Sequence, residues 1–471
     1  MARRYNTTTA RLSDHERFMD AVAFGDVEGV TRLVRVALNN NKGPREILRR
    51  LELAIEGKYA VKSFEEKHYE VQRLVLSLGG PRLAYSLSKA LNLPSISTTR
   101  EHSDTPKIVP SIGFPTSAEI SQNIDALFSV GILGGTLKTR GYSFQIDEIA
   151  LEERPRYDSG RDAILGMARE DAASCDLSTV TLETLHAAAD ALEEGSLTIA
   201  KEATVLTVAA FDSEHYAAFP IMISGTNKSE DDLSQARWIQ TALDAWDKEG
   251  CGDVWSIASD GDATRRRALH RLFMCMELKP AADSTVPSIY DLLKPLLRLN
   301  LGCGKKERTL SIDYKHKFKN FASLLRLPAG ILVVDEHIQS VRLRDLLGSV
   351  LNYSTAKLTR LFDNKDHQNV PNAVSLLSAV RMLSEEPKFS QPLENRAIVV
   401  LGRFIGFLLD PFTIPTLSLS EQLSSLSAAA HMLFILYRRN RTSFCPGQWY
   451  YDVQSLIKSI FITVAKQKLL D

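Results

Sequence analysis

The stretch GYSFQIDEIALEERPRY, residues 141–157, decides the reading of this chain. It reads as a buried strand with a carboxylate, Asp147, planted where an apolar side chain is expected. Carboxylates rarely sit in such places without a partner. A second such event occurs in VWSIASDGDATRRR, residues 254–267, where an apolar run from Val254 to Ala258 ends at Asp260 and the chain turns at Gly261 into a helix. Two strands that each deliver a carboxylate suggest a divalent metal site, because like charges in a low-dielectric setting need a cation between them.

Working outward, the segments around these two strands give an order. After Asp147 come AILGMA (163–168), the helical TLETLHAAADALEEG (181–195), and two β-rich runs, ATVLTVAAFD (203–212) and YAAFPIMISG (216–225). A long amphipathic helix, EDDLSQARWIQTALDAWDKEG, leads to the Asp260 strand and the helix ATRRRALHRLFM. Strands first, then helix, strand and helix, is the order of an RNase H-like α/β domain. In that topology the first and fourth strands are neighbours, so Asp147 and Asp260 are expected side by side. Two ions held by shared carboxylates can activate an attacking oxygen and stabilise a leaving one in phosphodiester cleavage. Each aspartate also has a plainer reading: Asp147 as a bulge cap or arginine partner, Asp260 as a strand-end turn residue. Asp262 is expected to cap the following helix, whose Arg265 and Arg266 stand beside the Asp260 turn as candidate phosphate contacts.

LSIDYKHKFKNFASLLR (310–326) is a short strand ending in Asp313, followed by a basic helix with His316, Lys317 and Lys319. It reads either as a strand-edge site facing phosphates or as a capped helix with lysines in water. From 330 the chain reads as helical, without a Gly-rich phosphate loop or a metal-spaced histidine pair. The first hundred residues are helical as well, with Ser13 and Glu16 spaced as a capping box ahead of an apolar run from Phe18. Residues 102–118 are rich in Pro, Ser and Thr and read as a linker or loop. The resulting division is a helical region over 1–110, a linker over 111–139, an RNase H-like core over 140–328 and helices over 329–471. The fold class is thus α/β plus α: a mixed sheet core with an N-terminal helical region and a large helical insertion.

Composition narrows the partners. The 471 residues are 44% hydrophobic and 24% charged, with Lys+Arg and Asp+Glu both at 57, so no overall basic field demands nucleic acid. Any such surface is local, and residues 1–110 carry 18 Lys and Arg against 13 Asp and Glu. A solvated helix face explains PREILRR (44–50) as readily as DNA does. Five scattered cysteines without a CxxC pair support neither a disulfide framework nor a zinc ribbon. No apolar leader or 18-residue apolar run is present, so a nuclear or cytosolic protein with no membrane segment is expected.

Several of these segments resemble one family. IDEIALEERPRYD is similar to the first catalytic strand of P-element-like transposases, the group that includes transposases carrying zinc-coordinating THAP domains. SIASDGDATRR resembles their second aspartate strand, and DYKHKFKN their Asp-x-x-His segment. GGPRLAYSLSKALNLPSISTTR (79–100) and NVPNAVSLLSAVRML (369–383) resemble the region before the catalytic domain and a piece of the helical insertion. The resemblance covers roughly residues 79–460. It implies DNA cleavage and joining by an Asp, Asp, Glu triad with Mg2+ or Mn2+, partners at transposon ends, and room for a homo-oligomer. By it Asp147 and Asp260 are metal ligands, and Asp313 with His316 is a landmark of unassigned role.

Two departures bear on activity. No Cys/His zinc module precedes residue 140. The family's third carboxylate is a glutamate on a helix after the insertion, and LSLSEQLSSLSAAAHMLFILYRR offers only Glu421, with the chain ending at VAKQKLLD where the required segment is expected to begin. The expectation is a transposase-like protein without efficient cleavage. The alternatives left open are a non-catalytic transposase-derived protein that binds DNA or another protein, and a purely helical scaffold. Tight GTP binding is not expected, since the dense cations are limited to Lys305, Lys306, Arg308, Lys317 and Lys319.

Overall fold

Apolar residues at three- and four-residue spacing form the N-terminal helices. The computed structural model describes residues 30–56, 58–59, 64–91, 93–102, 108–128, 141–212, 217–281, 287–363 and 369–470, together with Ser13 and Glu16. The chain divides into two units, 1–106 and 107–471. In the first, α1 (Val30–Asn39) and α2 (Pro44–Ile55) bury Leu33 and Ala37 with Ile47 and Leu51. Helix α3 (Glu66–Ala90) bends at Gly80, φ +74°, where Pro81 removes a backbone donor. Helix α4 (Ile96–Glu101) starts at a Ser95 cap. The basic stretch 44–50 is partly neutralised, since Glu46 receives both Arg49 and Arg50 at 2.9 and 3.0 Å. Ser13 and Glu16 are helical, and the residues expected to continue that helix, 18–29, lie outside the described residues.

In the second unit, part of the expected linker is a helix. In α5 (Ser117–Phe128), Ile120, Ile124 and Leu127 recur on one stripe and enter the sheet's core, with Thr116 and Glu119 bonding reciprocally at its start. The Pro and Ser density upstream masked this stripe.

Five strands form the sheet: β1 (Tyr142–Ala150), β2 (Glu202–Ala210), β3 (Ala218–Thr226), β4 (Val254–Ser259) and β5 (Thr309–Ile312). Their order is β3-β2-β1-β4-β5. β1 to β3 pair antiparallel, whereas β4 lies parallel to β1 and β5 parallel to β4. This is an RNase H-like mixed sheet, and it places the first and fourth strands side by side. Alternation along β1 buries Tyr142, Phe144 and Ile146 and turns Gln145 and Asp147 outward.

Helices α6 (Asp232–Glu249), capped by Asp231, and α7 (Ala263–Phe273) cover the buried face. Trp246 anchors that layer, meeting Tyr142, Phe128 and Phe144 edge-on at 5.1, 5.3 and 5.7 Å.

After β5, α8 (Tyr314–Arg326) leads to a two-stranded ribbon, Ile331–Val333 with Glu336–Ile338, where only helix was expected. Its turn is Val334 and Asp335, both at positive φ, which lacks the Asn-Gly signature that announces such hairpins. A bundle follows: α9 (Ser340–Ser349), α10 (Thr355–Leu361), α11 (Val370–Glu385), α12 (Arg396–Thr413) and α13 (Leu419–Asn440). The last helix, α14 (Gly447–Leu470), returns from the bundle and packs along β5. There the Ser459 and Thr309 hydroxyls are 2.8 Å apart. Trp449 secures this return, stacking on Phe321 at 4.7 Å and donating to the Lys317 carbonyl. No described helix is long and apolar enough to cross a membrane.

Candidate active-site cleft

Parallel pairing of β1 and β4 ends with Ile146 opposite Ser259. The next residue on each strand is the expected aspartate, Asp147 on β1 and Asp260 beyond β4. Asp147 is exposed, and one of its oxygens accepts from the Glu148 N–H at 2.9 Å. Asp260 is half-buried, and its Oδ1 accepts from the Ser259 hydroxyl at 3.1 Å and the Asp262 N–H at 3.0 Å. Neither carboxylate forms an ion pair among the described residues.

Asp260 opens into a cleft of about 540 Å³ at the ends of the parallel strands. Asp147 does not line this cleft; its neighbour Glu148 does. Alternation explains the difference, because Glu148 continues the face of Phe144 and Ile146 while Asp147 points away from it. Glu148 receives Arg265 at 2.7 Å, and Arg265 in turn donates to Gln235 at 2.6 Å. Arg169 pairs with Glu230, both almost fully buried. The two guanidinium groups lie 5.4 and 5.2 Å from the Trp238 ring centre, a cationic-aromatic stack that fixes their places.

A further carboxylate of the cleft, on the last helix, was not anticipated from the sequence. Asp452, on α14, is 1% exposed and accepts from Arg266 at 2.6 and 2.8 Å and from Lys317 at 2.7 Å. Its helix reaches the cleft because the insertion ends and the chain returns to the sheet. The signal was present in WYYDVQSLIKSI, an apolar helix interrupted by one acid, but it required knowing that this helix comes back. Gly261 makes the convergence possible. Its φ is +94°, and a Cβ there would lie 2.6 Å from Lys317 Nζ and 3.0 Å from Asp452 Oδ2.

The other expected residues fall as follows. Asp262 caps α7, accepting from the Thr264 and Arg265 N–H groups. Asp313 caps α8 and accepts from the His316 ring at 2.7 Å. Burial works against the charge of Asp313, yet the His316 bond and the Lys315 N–H hold its pKa below the ordinary range. His316 lines the cleft. Lys317 and Lys319 are both buried, so they are not the solvated lysines one reading expected, and Lys319 does not line the cleft. Glu421 sits at the start of α13 in a reciprocal capping box with Ser418 and is absent from the cleft. Lys306 and Arg308 both pair with Asp247.

Five acids line the cleft (Glu148, Glu230, Asp260, Asp262, Asp452) and five cations face them (Arg169, Lys228, Arg265, Arg266, Lys317). Of these acids Glu148, Glu230 and Asp452 are paired with the protein's own cations, whereas Asp260 and Asp262 form no ion pair among the described residues. Among the described residues no group of three or more His, Cys, Asp and Glu side chains is arranged to hold a metal ion. A hard cation wants several anionic oxygens, and of the expected acids Asp147 and Asp260 have no ion pair among the described residues.

No family model matches this chain, and no curated protein matches it. Among solved structures, the Drosophila P element transposase strand transfer complex is similar, with a TM-score of 0.50 and 14% identity over 90% of this chain and 85% of that one. At that identity the likeness concerns the fold. The chain has a P-element-transposase-like fold, with an RNase H-like core and a helical insertion.

Proposed function

We propose that this chain is a transposase-like protein that engages DNA through its strand-end cleft, with strand cleavage in its origin and cleavage suppressed in the present sequence. One observation carries this reading. The acid on the helix that returns to the sheet, Asp452, is consumed by Arg266 and Lys317. Strand cleavage by in-line displacement uses two ions, and each ion needs carboxylates that are not already neutralised.

Asp260 would hold a single Mg2+ or Mn2+ at the cleft, which when bound would polarise a phosphate oxygen, and Asp147 would join it only by turning toward the cleft. The chain's own residues define the rest. The Ser259 hydroxyl and Asp262 N–H orient Asp260. With Nδ1 of His316 committed to Asp313, Nε2 is the nitrogen available to a phosphate. Lys228, whose side chain is 57% exposed, is paired with Glu202 at the mouth and would reach a phosphate by leaving it. Arg265, Arg266 and Lys317 act on DNA only if they leave their carboxylates. The dense cations Lys306 and Arg308 share Asp247, which supports the expectation of no tight GTP binding.

The test is Mn2+ titration by calorimetry, with DNA binding followed by fluorescence anisotropy, in wild type and in Asp147→Asn and Asp260→Asn. The reading expects one weak Mn2+ site that Asp260→Asn weakens more than Asp147→Asn does, and salt-dependent DNA binding that both variants retain. Two tight Mn2+ sites per chain, or no DNA binding at low salt, would overturn it.

A further inference from the structure

A second cleft, of about 450 Å³, lies between α13, α14 and the turn at 294–300, and it is distinct in chemistry from the first. Its volume falls in the range of small-ligand sites. Its wall is apolar and aromatic, with Phe434, Tyr450 and Phe461 facing Leu296 and Leu297, and Leu297 is 79% exposed at the mouth. No Asp or Glu lines it.

Two cations do line it. Lys458 is 3% exposed, and its ammonium donates to the Gly302 carbonyl at 2.9 Å and contacts the Met274 sulfur at 2.7 Å. An ammonium has three N–H donors; here one meets a carbonyl, one a thioether, which is a weak acceptor, and the third meets no acceptor among the described residues. No carboxylate pairs with it among the described residues. A buried charge without a counter-ion is costly, and a ligand anion is the natural complement. Arg298 adds a second cation, held at φ +67° with its guanidinium 5.6 Å from the Phe434 ring centre. It too has no ion pair among the described residues.

We propose that this cleft binds a small amphipathic carboxylate, with its ring or branched apolar body among Phe434, Tyr450 and Leu297 and its carboxylate on Lys458 and Arg298. Both requirements come from the wall: apolar surface for the body, and two unpaired cations with no competing acid for the head. The lowered pKa of Lys458, at about 8 through burial, fits an ammonium awaiting an anion. The proposal does not depend on DNA binding or cleavage.

Calorimetry with naphthoate and with neutral naphthalenemethanol on the full chain tests it. Naphthoate is expected to bind at least about tenfold more tightly than the alcohol, the scale of one charge-assisted hydrogen bond. Lys458→Met removes that preference while leaving the alcohol's affinity unchanged. Arg298→Ala, at an exposed position, weakens naphthoate severalfold, and Ser427→Trp, which fills the cleft, abolishes both. If Lys458→Met fails to fold, those two variants decide. Equal affinity for acid and alcohol in wild type, no naphthoate binding at millimolar concentration, or binding unaffected by Ser427→Trp would each overturn the proposal.

Discussion

Replacing Asp452 by Asn keeps shape and removes one charge, and the structure sets the size of the effect. Asp452 is 1% exposed and Lys317 3%, so the ammonium left behind cannot be rescued by water. Arg266 is less exposed to loss, since its side chain keeps 12% accessibility and also donates to the Gly261 carbonyl. Breaking a buried pair by removing one partner costs about 3–5 kcal/mol. We expect Asp452→Asn to fall in that range. Lys317→Met should cost far less, roughly 0–2 kcal/mol, because Asp452 keeps its two-pronged contact with Arg266. The two changes together should be strongly non-additive, with the double variant more stable than the sum predicts. Urea unfolding read by tryptophan fluorescence is suited to this, because Trp449 donates to the Lys317 carbonyl and reports locally. A loss under about 1 kcal/mol for Asp452→Asn, with additive behaviour in the double variant, would refute the idea that Asp452 is locked.

Three further outcomes follow from the same geometry. Lys317→Met should raise Mn2+ affinity at the cleft by about tenfold or more, since it frees part of a carboxylate, and calorimetry would show an unchanged affinity if Asp452 faces no ion site. Stability should rise between pH 8 and 9. Burial lowers Lys458 and Lys466 to about 8, so over that window the unfolded lysines bind protons that the folded ones have shed, a gain of at most ~1.4 kcal/mol per pH unit per lysine. Above pH 9 the Cys445 thiol, pushed up to about 12 by burial, opposes the trend because its unfolded form ionises first. Urea midpoints that are flat from pH 8 to 9, or that rise equally in Lys458→Met/Lys466→Met, would contradict this. Gly261→Ala should destabilise by about 1–3 kcal/mol through its positive φ and its approach to Lys317, and an unchanged midpoint would mean that the turn relaxes freely.

The sheet was legible because its signals are local. Each strand of the core carries its own alternation or apolar run, and the order of strands and helices fixed which were neighbours. The placement of Asp260 after β4 and the caps at Asp262 and Asp313 were legible for the same reason, since they depend on residues a few positions apart. What was not legible depends on distant returns. Asp452 lies 192 positions after Asp260, and nothing in its own helix says that it reaches β5. Nor does the pattern KHKFKN reveal that Lys317 is buried against that acid. The charge balance of the cleft was not legible for the same reason: Arg265, Arg266, Arg169 and Lys317 approach from three other elements and pair with Glu148, Asp452 and Glu230, while Asp147 and Asp260 keep no ion pair among the described residues. Helix α5 was hidden by the Pro- and Ser-rich run before it, and the Val334–Asp335 hairpin by a turn without glycine or asparagine.

A supercoiled-plasmid nicking assay with Mg2+ or Mn2+ decides whether the pairing of Asp452 with Arg266 and Lys317 has silenced the cleft of this transposase-like fold. Wild type is expected to give no nicking above the level of Asp260→Asn, and Glu421→Gln is expected to change nothing, because that glutamate caps α13 outside the cleft. Robust metal-dependent nicking by wild type that is lost in Asp260→Asn would contradict the claim and make this an intact strand-cleaving enzyme.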